Sequence, residues 1–257
     1  MSRNHMLASF WSDYPGSGFH SRDEPFIDPI RSYKLQTSSS GISPYDIESN
    51  ESFHRLVHVD LHPQPYVGNL DRSLVYILFG NPGFVATDYG DESENESHMA
   101  ACVANLKQSG QGFYPLLPAG SGTGAGTYWQ GRLRSLAIDL AQRLNLTTSQ
   151  ATQVLVERLS VVEAGAYHSK KSPGEWFDQL PSSRVARDYV HKTLLPKARR
   201  GEVLIFVWRR AAFWGVPENT PGVLLRPPEK AQLKNITLVE RTAMAQFISD
   251  KLQKNDI

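Results

Sequence analysis

The sequence predicts an α/β fold, a three-layer α/β/α sandwich around a central, mainly parallel sheet of four strands. Two observations predict it. Short, continuous apolar runs recur along the chain, and runs without polar alternation suit strands buried on both faces of a sheet. Segments with helical spacing separate those runs, and alternation of strand and helix favours parallel pairing with helices on both faces.

The elements follow in order. Residues 1–50 are rich in Ser, Gly, Pro and Asp, with Phe10, Trp11, Phe19, Phe26 and Tyr33 spread among them without a period. They read as an irregular arm that packs on the α/β domain of residues 51–257, partly through those aromatics, since so many aromatics argue against disorder. Residues 54–69 lead into the first core strand at 74–79. An acidic loop over 81–95 carries Asp88, Asp91, Glu92 and Glu94. A helix is expected at 96–109. After Phe113, Tyr114 and Pro115 comes a Gly-rich stretch over 119–127, read as a mobile loop. Leu133, Leu136, Ala137, Leu140 and Leu144 share one face of a helix over 129–144. Thr147 or Thr148 can cap a short helix at 149–157. Strands at 158–164, 203–208 and 223–225 complete the sheet. A basic helix over 183–199 and a last helix over 237–254 fill the outer layers. No internal repeat is visible.

Composition narrows the function. The chain has 257 residues, 40% hydrophobic and 21% charged, as ordinary globular proteins do. Its net charge of +1 gives no polyelectrolyte signature, so a nucleic-acid partner has to meet a local basic face. The single cysteine, Cys102, excludes an internal disulfide framework and a thiolate-rich metal site, and reads as a small buried hydrophobe. His54, His58 and His62 are spaced by four but precede a Pro-rich turn and lack cysteine or acidic partners, which disfavours a zinc site. No apolar run approaches the ~18–20 residues needed to span a bilayer. The start of the chain lacks the apolar core of a signal peptide, so a cytoplasmic protein is expected.

The most informative segment is the first strand and its end. Six apolar residues stop abruptly at Gly80-Asn81-Pro82-Gly83. The glycines permit a tight turn and Pro82 stiffens it. Asn81 thus stands on a rigid corner at the carboxyl end of a central strand, where open α/β sheets bind ligands. A plain turn is the competing reading.

With the aromatics at 113–114 downstream, this segment resembles the uracil-DNA glycosylase superfamily, whose single-strand-selective and mismatch-specific branches carry Gly-x-Asn-Pro-Gly. Phe79 here stands where that pattern has its first Gly. The lead-in Pro65-Tyr66-Val67-Gly68-Asn69 is also similar, and the resemblance runs over roughly 60–250. It implies a monofunctional glycosylase that flips a base from double-stranded DNA and cleaves its glycosidic bond with water. A monofunctional route also agrees with the lack of an obvious lysine beside the turn. Neither cofactor nor metal is implied, and a monomer is expected.

Carried over, the resemblance gives Asn81 the attacking water, with Gly80 and Pro82 shaping the base pocket. Asp88 is the carboxylate placed to act as base, or else part of a solvated loop. Phe113 or Tyr114 falls where the family stacks an aromatic on the base, or is a core aromatic. Glu163 stands where the family's base-reading Asn is found. A carboxylate only accepts hydrogen bonds, which suits the amine of cytosine better than uracil O4. Its alternatives are a strand-end cap or a pair with Lys170 or Lys171. Arg226, before Pro227-Pro228, replaces the His of the family's last motif and could supply charge to the departing base, grip a phosphate, or be solvated. Lys170, Lys171, Arg209, Arg210 and Lys230 are the basic residues expected to meet DNA. Phe79, Glu163 and Arg226 depart from uracil-specific patterns, like anti-phage members that excise glucosylated hydroxymethylcytosine from phage DNA. Uracil or deaminated-base repair is the alternative, and a non-catalytic nucleic-acid-binding protein the rival outside the class.

Overall fold

The computed structural model describes residues 6–27, 29–35, 42–227, 230 and 234–255. In chain order they form α1 (Met6–Trp11), β1 (Ser32–Tyr33), α2 (Pro44–Ser49), β2 (Val57–His58), β3 (Tyr66–Gly68), β4 (Val75–Leu78), α3 (Asp88–Glu94), α4 (Glu96–Leu106), α5 (Gly124–Leu144), α6 (Thr148–Arg158), β5 (Leu159–Val162), α7 (Pro181–Tyr189), α8 (Leu195–Arg199), β6 (Leu204–Val207), α9 (Ala211–Trp214), β7 (Val223–Leu225) and α10 (Leu238–Asn255).

The central sheet runs β3-β5-β4-β6-β7, with β3 antiparallel to β5 and the other neighbours parallel. Strand pleating divides its side chains between two cores. Tyr76, Leu78, Ile205 and Val207 meet α1, α7, α8 and α9 on one face. Val75, Ile77, Leu204 and Phe206 meet α5, α6 and α10 on the other. Every residue of β4, β5 and β6 is buried, which is why these strands read as apolar runs, broken only by Ser160 of β5, whose hydroxyl pairs with Ser73 Oγ at 2.7 Å.

The sheet has five strands where the sequence predicts four. The added edge strand β3 has three residues and ends on Gly68 at φ +103°, where a side chain would strike the Leu159 carbonyl. So short a strand, ending on a glycine, carries no periodic signal. Two further corrections concern helices. Much of the acidic segment after the first strand is α3 rather than loop. The Gly-rich stretch is also not an open loop. Thr123 Oγ1 accepts from the Gly126 N–H at 3.0 Å and starts α5 five residues earlier than predicted. The basic helix over 183–199 is α7 and α8 joined by a wide π turn at 190–194, just before Pro196, which has no N–H for the regular ladder.

The amino-terminal segment packs through Leu7, Phe10 and Trp11 in the first core and through Tyr33 beside β2, while Phe26 stays 53% exposed. His54, His58 and His62 do not share a helix: His54 ends a 3₁₀ turn, His58 lies on β2 and His62 follows it. No helix among the described residues is long and apolar enough to cross a membrane.

Candidate functional site

After β4 the chain crosses to β5 on one side and then to β6 on the other, which makes the carboxyl end of β4 a topological switch point. Crevices at such points are the usual ligand sites of open α/β sheets. A cleft of about 550 Å³ opens there. The turn after β4 supplies Gly80, Asn81 and Pro82, the end of β5 supplies Glu163, and the segment after β6 supplies Arg209 and Arg210. Asp88 on α3, Tyr128 on α5 and Lys170 close the walls.

The Asn81 turn is fastened to the segment that follows β5. Gly165 N–H donates to Gly80 O at 3.0 Å and Ser169 N–H to Pro82 O at 3.1 Å. His168 bridges Gly83 O, 2.8 Å from Nδ1, and His62 O, 3.2 Å from Nε2. Burial pushes the His168 pKa down to about 4, so at neutral pH it has one N–H to donate. Asn81 Nδ2 donates to Pro82 O at 2.8 Å and Ser169 O at 2.9 Å, with Ser169 Oγ at 3.3 Å. Two carbonyl acceptors fix which end of the carboxamide is nitrogen. They leave Oδ1 as the acceptor Asn81 offers to the cleft.

Two carboxyl groups share the cleft in contrasting surroundings. Asp88 accepts from Val85 N–H at 2.9 Å. Burial pushes its pKa up to about 7; the charges of Asp91 and Glu48 push the same way, and the Val85 N–H opposes them. Gly124 makes room for it, because a Cβ there would stand 2.6 Å from Asp88 Oδ1. Glu163 is 5% exposed, its Oε2 has no hydrogen-bond partner among the described residues, and burial alone drives its pKa well above the carboxylate range. It pairs with neither Lys170 nor Lys171. Lys170 Nζ donates to Glu48 O, and Lys171 Nζ donates to Glu51 at 2.7 Å. Burial thus favours the neutral carboxyl, which both donates and accepts, whereas the sequence expectation took a carboxylate that only accepts.

The aromatic wall differs from prediction. Phe113 and Tyr114 are buried, at 0% and 3% exposure, and neither lines the cleft. Phe113 packs edge-on behind Trp129, with ring centroids 5.4 Å apart. The cleft-lining rings are Phe79, Phe84, Tyr128 and Trp129. Phe79 meets Trp129 at 5.9 Å and Tyr128 at 6.3 Å, and Arg132 lies 3.6 Å over the Tyr128 ring.

Among the predicted cations, Lys170, Arg209 and Arg210 line the cleft. Arg210 takes a left-handed backbone (φ +57°) and pairs with Asp178 at 2.5 Å. Lys171 and Lys230 are not on its walls. Arg226 is the clearest correction. Its side chain is fully buried, and Nε and Nη2 bind the two carboxylate oxygens of Glu240 at 2.8 and 2.5 Å. It therefore faces the interior rather than a ligand. Cys102 is buried on α4, with burial raising its thiol to about 12.

Sequence reading missed Tyr128, Trp129, His168 and Ser169. The capped helix start at Thr123 was the available signal for Tyr128, since it extends α5 back over it, whereas Trp129 already opened the predicted helix. Among the described residues, no group of three or more His, Cys, Asp or Glu is placed to hold a metal ion. Neither a protein-family model, nor a curated protein, nor a solved structure matches this chain.

Proposed function

We propose that the protein is a monofunctional DNA glycosylase with a uracil-DNA glycosylase-like core, which takes a flipped base into the cleft and hydrolyses its glycosidic bond to leave an abasic site. The observation that carries this reading is Asn81. Its carboxamide is locked through Nδ2 on a rigid turn at the switch point, with Oδ1 left to the cleft. An amide is a weak base, but glycosidic cleavage passes through an oxocarbenium-like state. There, orientation of the water and stabilisation of charge count for more than basicity.

In this reading Asn81 Oδ1 accepts from the attacking water. Asp88, poised near neutrality, takes the proton the water loses as it bonds to C1′. Phe79 and Tyr128 supply the faces on which a base stacks, a role first expected of Phe113 or Tyr114. Glu163 meets the hydrogen-bonding edge of the base. Lys170 and Arg209 stand where the flanking phosphates pass.

A cleft of about 550 Å³ is roomier than one pyrimidine requires, which favours an enlarged base such as glucosylated hydroxymethylcytosine in phage DNA, and so a role in antiviral defence. Uracil is the second reading, because a neutral Glu163 pairs with the N3–H and O4 edge of uracil as well as with the cytosine edge. One expectation changes in detail. A lysine does stand in the cleft, but Lys170 donates to the Glu48 carbonyl, which holds its ammonium away from nucleophilic work.

The test is an abasic-site assay on duplexes holding uracil, hydroxymethylcytosine or its glucosylated form, followed by alkali. Cleavage of at least one duplex is expected. Asn81→Ala should lose about 10²-fold or more in single-turnover rate while keeping duplex affinity. No cleavage of any duplex by the wild type would sink the glycosylase reading. A covalent complex trapped by borohydride through Lys170 would sink its monofunctional form.

A further inference from the structure

We infer that Glu163 acts as a neutral acid: its Oε2–H donates to ring nitrogen N3 of a bound cytosine-type base, its other oxygen accepts from the exocyclic amine, and the proton passes to N3 as the glycosidic bond breaks. The inference rests on the glycosylase reading and adds the chemistry of the leaving group to it.

The geometry points this way. Val162 pairs in register with Leu78, so residue 163 emerges beside the turn that holds Asn81. Its backbone N–H is taken by Pro65 O at 2.9 Å, which fixes the strand end. The side chain is almost wholly buried and lines the cleft, and its Oε2 lacks a partner among the described residues. The titratable and charged groups on the surrounding walls are Asp88, Tyr128, His168, Lys170, Arg209 and Arg210. No hydrogen bond joins any of them to Glu163. A carboxyl group desolvated in this way stays protonated, and its unmet oxygen awaits a partner from a ligand. Asp88, with an N–H donor and a value near 7, is the complementary base. Two carboxyl groups whose surroundings differ this much take opposite roles in proton transfer.

The chemistry gives the acid a purpose. Cytosine leaves poorly as an anion, because its amine pushes charge into the ring. In the proposed step the C1′–N1 electron pair moves to N1, N3 takes the Glu163 proton, and water oxygen bonds to C1′ while its proton goes to Asp88. The base departs as a neutral tautomer and exchanges protons with solvent. Asp88 then releases one proton to solvent and Glu163 regains one, so the enzyme resets.

Three measurements test it. Difference infrared spectroscopy of wild type against Glu163→Gln should show a protonated-carboxyl band at pH 7; its absence overturns the proposal whatever the activity. On duplexes with hydroxymethylcytosine or its glucosylated form, Glu163→Gln should keep affinity yet lose about 10²-fold or more in single-turnover rate, and a loss within about threefold overturns it. The wild type should also fail to cut a duplex whose cytosine-type base carries carbon in place of N3, a readout that needs no folded variant. Cleavage of uracil duplexes alone overturns the proposal and spares the glycosylase reading. Cleavage of none defeats both, and the infrared band still reports the protonation of Glu163.

Discussion

Beyond β5 and beyond β7, one sheet buries an ionisable side chain, and the two strand ends treat it in opposite ways. Arg226, after β7, is fully buried and fully answered: Glu240 takes two of its donors, Asn235 O accepts a third bond at 3.1 Å, and the guanidinium lies 4.8 Å over the Trp208 ring. Burial works against the Glu240 carboxylate, but the donors from Arg226 and Thr237 hold its pKa below the usual value. Glu163, after β5, is buried to a similar degree, and its Oε2 has no hydrogen-bond partner among the described residues. A satisfied buried ion belongs to the architecture. A buried carboxyl with an unmet oxygen destabilises the empty protein and points to a ligand that completes it.

The largest expected effect tests the satisfied end. Arg226→Ala leaves Glu240 as an uncompensated buried charge and should cost about 3–5 kcal/mol in urea unfolding. The rate of the folded fraction should stay near wild type, because Arg226 does not line the cleft. Unchanged stability with lost base excision would return Arg226 to the site and break the contrast.

A somewhat smaller effect probes the buried carboxyls in and near the cleft through pH. Asp88 titrates at about 7 in the folded protein against 3.8 ordinarily, and Glu92, raised chiefly by burial, at about 8 against 4.5. Glu163 is raised in the same direction. The native state therefore holds protons that the unfolded chain has released. Stability from these groups is complete below about pH 4 and falls as pH rises through 7 and 8. Asp88→Asn removes one share of that loss and should be more stable than wild type by roughly 2–4 kcal/mol above pH 8, with little difference in acid. Urea unfolding across the range reads it directly. Parallel stability curves for the two proteins would show that Asp88 is not desolvated.

What could be read in the sequence follows the same division between local and distant partners. β4, β5 and β6 are legible because burial on both faces makes nearly every residue apolar, Ser160 excepted, and Asn81 and Glu163 are legible because they stand where such runs end. β3 is not, since three residues ending in Gly68 give no period. The start of α5 is hidden by glycines that weaken helix propensity, and Tyr128 is hidden with it, the Thr123 cap being the one local sign of it. Arg226 was misplaced for a different reason. Its partner lies fourteen residues on, in the first turn of α10, and only the folded chain brings them together.

The smallest effect carries the contrast from charges to aromatics. Phe113 is sealed behind Trp129, whereas Tyr128 is half-buried and lines the cleft, so the two rings repeat the division between Arg226 and Glu163. Tyr128→Ala should weaken binding of a duplex bearing a non-cleavable nucleotide by about 1–3 kcal/mol, with most of the stability kept. Fluorescence anisotropy gives the affinity and urea unfolding the stability. Phe113→Ala should do the reverse, since the cavity it opens behind Trp129 lies in the core. If Phe113→Ala instead weakened binding at full stability, the stacking face would lie where the family resemblance puts it, and Tyr128 would be an ordinary wall.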